Sequence, residues 1–164
     1  MIKKFIFLVI FSLFLTNILA ENNRYYSFDK GLVSLIYHRF GESKYPSTNI
    51  QMDVFDKQIN IINENNYNYY NPKNFDIFFK NPDREKKILI TIDDAFASFY
   101  ENAWPYLKEK KIPFILFVST KPIGKYGYMN WDQIKEIEKE DFAFIGNHSH
   151  SHEYLVNYEF NYFK

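Results

Sequence analysis

Ile88-Leu89-Ile90-Thr91-Ile92-Asp93-Asp94 is an apolar run that stops at two carboxylates. Apolar, β-branched residues without polar alternation mark a strand buried on both faces, as in parallel sheets. The run predicts a strand over Lys87 to Thr91, with the carboxylates where the strand gives way to a loop. The carboxyl ends of strands in α/β proteins are where ligands and reactive groups collect.

Similar runs lie on either side. Gly31 to Tyr37 (GLVSLIY) predicts a first buried strand ending at His38, Pro113 to Val118 (PFILFV) a third and Phe142 to Ile145 a fourth. Helical patterns separate them. Val54, Phe55, Gln58, Ile59, Ile61 and Ile62 recur at helical spacing, predicting an amphipathic helix over residues 52–65 that Asn65-Asn66 stops. Phe75, Phe78 and Phe79 suggest a short second helix, ended by Asn81-Pro82-Asp83. Residues 98–111 read as a third helix, with Phe99, Ala103, Tyr106 and Leu107 on one side. Pro105 inside it predicts a kink or a late start. Trp131 to Lys139 is a fourth, with Asn130 as N-cap and Gln133 as its capping-box partner. Loops fill residues 41–48 and 119–128. Alternating strands and helices with short turns predict one α/β domain of parallel strands joined by right-handed crossovers.

The chain has 164 residues. Lys3-Lys4, the apolar stretch Phe5 to Leu15 and Ala20 before Glu21-Asn22-Asn23 read as a secretory signal peptide over residues 1–20. An uncleaved anchor is the alternative reading; the apolar stretch is short for a bilayer span. Export to the periplasm, cell envelope or exterior follows from either. There is no cysteine, which excludes disulfides and thiolate metal sites, so a metal would need His, Asp or Glu. A formal net charge of zero gives no electrostatic case for nucleic acid. The aromatic content of 21 % fits sugar stacking, but AT-rich codon usage explains it more simply.

The second polar cluster is His148-Ser149-His150-Ser151-His152, just beyond the last predicted strand, and it holds three of the chain's four histidines. Adjacent strand residues point to opposite faces, so Asp93 and Asp94 serve one site only if the backbone turns between them. One carboxylate can then bind a cation while the other takes a proton from water. A turn starter or helix N-cap is the competing role for such a pair. Histidines four apart place two imidazoles on one side of a helical turn, which leaves His150 facing elsewhere. A solvated polar loop is the plainer alternative for that cluster.

Together, TIDDAFASFYENAWPYLKEKKIPFILFVST and IGNHSHSH resemble the NodB-homology polysaccharide deacetylases, the carbohydrate esterase family 4 enzymes. The first matches that family's Thr-Phe-Asp-Asp-Gly motif and the second its His-Ser/Thr-x-x-His motif. LIYHRFGESKYPSTNI looks like the branch that de-N-acetylates biofilm poly-N-acetylglucosamine. The resemblance implies an incomplete (β/α) barrel of the distorted seven-stranded NodB-homology type. It implies Asp93 as general base, with Asp94, His148 and His152 as ligands of a divalent metal. Zinc suits such a site, with cobalt or nickel compatible by ligand type. The implied reaction removes N-acetyl groups from an N-acetylglucosamine-containing polysaccharide, with no protein partner called for.

His38, in Tyr37-His38-Arg39, reads as a substrate-side residue with a core histidine as the alternative. Trp131 reads as a stacking surface for a sugar ring or a core aromatic, and Asn147 as a turn residue or a support for His148. Ala95 stands where the family has Gly, so a positive φ there is hindered; Ile92 replaces Phe. The later motifs Arg-x-Pro-Tyr and Leu-x-x-His have no match before Lys164. Residues 21–164 are therefore expected to be a deacetylase domain truncated at its C-terminal end, with an exposed edge beside its last strand. The alternative function is a truncated, non-catalytic domain that binds metal and glycan.

Overall fold

The computed structural model of the chain describes residues 31–80 and 85–153. The expected signal peptide over residues 1–20 lies outside them. The elements are β1 (Gly31–Tyr37), β2 (Arg39–Phe40), β3 (Asn49–Ile50), α1 (Met52–Glu64), β4 (Asn68–Tyr69) and α2 (Phe75–Lys80). They continue with β5 (Lys86–Asp93), α3 (Trp104–Lys110), β6 (Phe114–Val118), α4 (Trp131–Glu138) and β7 (Ala143–Asn147). The main sheet runs β1-β5-β6-β7, all pairs parallel, with β4 also paired to β5. This is the α/β arrangement expected, an open sheet consistent with part of a barrel. Among the described residues no helix is long and apolar enough to cross a membrane.

β5 lies at the centre, and its two faces have different partners. Ile88, Ile90 and Ile92 pack into the main core with Phe55, Ile59, Leu107, Phe114 and Leu116. Leu89 belongs to a smaller cluster with Ile115 and Tyr70 on the opposite face. Burial on both sides is why the run lacks polar alternation. The strand extends past the expected Thr91, because Ile92 and Asp93 pair with Leu116 and Phe117 of β6. β7 likewise continues to Asn147, paired with Val118.

Many of the aromatics serve the core. Phe40 and Phe55 meet edge to face at 5.2 Å, Tyr37 and Phe55 at 5.2 Å, and Phe99 and Phe114 at 5.5 Å. Such pairs contribute about 0.5–1.5 kcal/mol each beyond the area they bury.

One helix expectation needs correction, and two others hold. α1 buries only Phe55, Ile59 and Ile62, while Val54 and Ile61 are exposed, so the apolar stripe is narrower than its spacing suggested. The third helix begins as a wide π turn over Phe99–Ala103 and becomes α-helical at Trp104. Pro105 then sits in the first turn of α3, where its missing N–H costs nothing. Asn130 and Gln133 form the reciprocal capping box at the start of α4. The short strand β4 carries no apolar run, and only its pairing with β5 defines it.

α1, α3 and α4 cover one face of the sheet. On the other, Phe75 of α2 joins Ile36, Leu89, Thr91, Asp93 and Phe117 around an open groove of about 400 Å³ that ends at His148.

Candidate active site

Asp93 ends β5 on the groove face, in line with Leu89 and Thr91. The chain then turns sharply, with Asp94 at φ 72° and Ala95 at φ 56°. Two successive left-handed residues bring both carboxylates to one side, which a continued strand would forbid. For Ala95 this conformation costs about 1–2 kcal/mol, the strain that the glycine of the related motif avoids. Surrounding contacts hold it. Met129 N–H donates to Ala95 O at 2.9 Å, and Ala97 N–H to Gly127 O at 3.0 Å. The Arg39 guanidinium lies 3.5 Å from the Phe96 ring centroid and 4.2 Å from that of Tyr45, while donating to both Glu42 carboxylate oxygens at 3.1 Å.

The histidine segment follows β7 and is a loop. This corrects the helical turn inferred from the spacing of four. Ser149 and His152 take φ 67° and 53°. Ser149 N–H donates to Asn147 Oδ1 at 2.7 Å, and His152 N–H donates to Ser149 Oγ at 3.0 Å. Asn147 thus acts as the turn residue. The loop's polar turns, instead of a helix, bring His148 Nε2 and His152 Nε2 to 3.0 Å. His150 points away, with Nδ1 2.8 Å from Thr120 Oγ1.

The two clusters converge. Asp94 Oδ1 lies 3.6 Å from His148 Nε2 and 3.7 Å from His152 Nε2. One ligand atom from each of Asp94, His148 and His152 falls within a 4.8 Å span. Ligands at about 2.0–2.1 Å on a tetrahedral cation lie about 3.3 Å apart, so the triangle fits a single ion. The donor set, one carboxylate and two imidazoles, also suits a borderline divalent metal.

Asp93 stands beside this triangle. Its Oδ2 is 4.0 Å from His148 Nε2 and 3.8 Å from His38 Nε2. Burial pushes the Asp93 carboxyl above the usual carboxylate range; His148 and His38 pull against that rise, and Asp94 adds to it. His38, just beyond β1, is thus at the cluster and outside the core. Trp131, at the start of α4, is half exposed, and among the described residues it makes no hydrogen bond or ring contact with the cluster.

Sequence reasoning missed Ser119, a buried residue directly after β6. Its hydroxyl lies within hydrogen-bonding distance of His148 O at 2.9 Å and Asp94 Oδ1 at 3.3 Å. A lone serine beside a loop carries no pattern. Its one signal is position, at the carboxyl end of the strand between the two clusters.

Comparisons with known proteins bear on the family and the fold. Residues 80–163 match the family model described as Polysaccharide deacetylase. The poly-beta-1,6-N-acetyl-D-glucosamine N-deacetylase of Staphylococcus aureus is 26% identical over 117 residues, covering 70% of this chain and 40% of that protein. The structure of IcaB from Ammonifex degensii superposes with a TM-score of 0.66 at 30% identity, covering 73% of this chain and 53% of that one. The Streptococcus pyogenes deacetylase PplD, solved with acetate, shares the fold at a TM-score of 0.63 and 22% identity, covering 74% and 57%. The chain thus spans about two fifths of the length of the curated relatives it matches.

Proposed function

The chain belongs to the polysaccharide deacetylase family, and on that premise we propose that it is a metal-dependent hydrolase removing N-acetyl groups from an N-acetylglucosamine-containing polysaccharide. One observation carries the reading: a half-buried carboxylate, Asp93, lies 4.0 Å from an imidazole of a three-ligand cluster. A structural metal site has no use for such a neighbour, and neither does a pure glycan binder.

Asp94, His148 and His152 would hold the cation, with zinc the best match and cobalt or nickel compatible by donor type. The chemistry such a cation supplies is Lewis acidity towards a water and towards the acetamide carbonyl. Asp93 accepts the water proton as the oxygen adds to the acetyl carbon. Burial raises its pKa, which makes it a stronger base than an ordinary carboxylate. The C–N bond then breaks, and the departing nitrogen needs a proton. Asp93 has just taken one and holds it within the same cluster. Acetate and a free sugar amine result.

The groove beside Asp93 gives the acetamide a route in, and His38 stands 3.8 Å from that carboxylate on the substrate side. The substrate follows the S. aureus relative, whose name states poly-beta-1,6-N-acetyl-D-glucosamine. Trp131 remains a candidate stacking surface for a sugar ring further out, supported by its exposure. Export belongs to the same reading and rests on the N-terminal sequence Lys3 to Ala20.

The test is acetate release from β-1,6-linked N-acetylglucosamine oligomers, with and without chelator. The expected result is release that stops on chelation and returns with added zinc. Asp93→Asn should lower turnover by about 10²–10⁴-fold with metal still bound, since general bases contribute on that scale. His148→Ala should lose metal and turnover together. Full activity in Asp93→Asn would overturn the assigned role. Oligomer and metal binding without any acetate would favour the non-catalytic alternative.

A further inference from the structure

We infer that Ser119 is a positioning residue for the cation cluster, its hydroxyl setting the Asp94 carboxylate against the loop that carries His148. The inference rests on Asp94, His148 and His152 being a cation site, and it adds a residue that neither motif contains.

Ser119 is 1% exposed, one of only three buried polar side chains among the described residues. It directly follows Val118, the last residue of β6. Because β6 lies between β5 and β7, Ser119 stands between the two loops that supply the ligands. Its Oγ is 2.9 Å from His148 O and 3.3 Å from Asp94 Oδ1. That Asp94 oxygen is the one facing both imidazoles.

A hydroxyl carries a single proton, so Ser119 has one donor for two acceptors. The same atom therefore senses the carboxylate and the histidine backbone at once. No other described side chain hydrogen-bonds the Asp94 carboxylate, whose remaining close neighbours are the two imidazoles. Without the hydroxyl, the carboxylate loses the contact that selects its orientation before a cation arrives.

The loop itself has other anchors. His148 N–H donates to Val118 O at 3.0 Å, Thr120 N–H to Ser149 O at 3.3 Å and Lys121 N–H to His150 O at 2.8 Å. Thr120 Oγ1 adds its contact with His150. Most of the loop's attachment is thus carried by atoms other than Ser119 Oγ, and substitution can separate that attachment from the hydroxyl's own two contacts. Groups that orient metal ligands from behind change metal affinity by about 10–100-fold when removed.

The experiment measures zinc affinity by chelator competition, and the visible absorption of the cobalt(II) form, for the full chain and two variants. Metal-free melting temperatures are read alongside. Ser119→Ala should weaken zinc binding about 10–100-fold and alter the cobalt spectrum, with the metal-free melting temperature little changed. Thr120→Val, which cuts the His150 contact but keeps Ser119, should stay close to the parent in both metal readouts. Equal zinc affinity in Ser119→Ala and the parent overturns the inference while leaving the cation site intact. An equal loss in Thr120→Val also overturns it, since the effect would then be loop loosening. A parent chain that binds neither metal overturns the cation site and the inference with it.

Discussion

Gly146→Ala tests how tightly the strand carrying the histidine loop is packed. Gly146 lies in β7, in register with Phe117 of β6. A Cβ there would stand 2.5 Å from Phe117 Cδ1, 2.6 Å from Cε1 and 3.2 Å from Ile115 Cγ2. Carbon atoms in good contact lie about 3.5–4.0 Å apart, so the ring must retreat by about 1 Å. Backbone strain plays no part, because Gly146 is not among the residues with positive φ. Overpacking costs about 1–3 kcal/mol. Phe117 borders the open groove and is only half-buried, so it can yield, and the lower part of that range applies, about 1–2 kcal/mol. For a chain of 164 residues this lowers the melting temperature by about 2–8 °C. The assay is thermal and urea unfolding of the parent, Gly146→Ala, Phe117→Ala and the double variant, all metal-free. With the ring removed, Gly146→Ala should cost under about 0.5 kcal/mol, leaving a coupling of about 0.5–2 kcal/mol between the two positions. An equal cost in both backgrounds would refute the reasoning, since the strain would then lie outside the ring. The packing also bears on the site, because the Phe117 ring is 6.2 Å from that of His148.

Two further outcomes follow from the cluster. Burial raises the Asp93 pKa, so Asp93 contributes stability that is full below the unfolded carboxyl value of about 3.9 and is lost as pH rises through the folded value. With chelator present, Asp93→Asn should therefore melt near the parent at pH 4 and above it at pH 7. A gap that shrinks as pH rises would contradict the sign. A cation at about one hundred times its dissociation constant stabilises the folded state by about 2.7 kcal/mol, or about 5–11 °C for a chain of this size. Zinc should produce that shift in the parent and not in His152→Ala; equal shifts in both would place the ion elsewhere.

The sequence alone determined the four long strands, the main helices and the chemical inventory, while the two-residue strands β2, β3 and β4 are defined only by their pairing. β1 matches its apolar run in extent but not in burial: Val33, Ser34 and Ile36 are exposed, because among the described residues β1 ends the sheet and only β5 pairs with it. The capping box of α4 was equally legible, being a local hydrogen-bond exchange between Asn130 and Gln133. Both aspartates and the paired histidines stood out because two polar clusters, each ending an apolar strand, follow one another in the order of a single family's motifs. Tertiary structure alone decided how they meet. The four-residue spacing of His148 and His152 pointed to a helix, but the Asn147 and Ser149 turns bring the two rings together. The positive φ of Asp94 and Ala95 is set by contacts with Met129 and Gly127, far along the chain. His38, Ser119 and Arg39 acquire meaning only from neighbours across the sheet. Local patterns record what one segment does to itself; convergence of four strand ends is a property of packing, and no single segment encodes it.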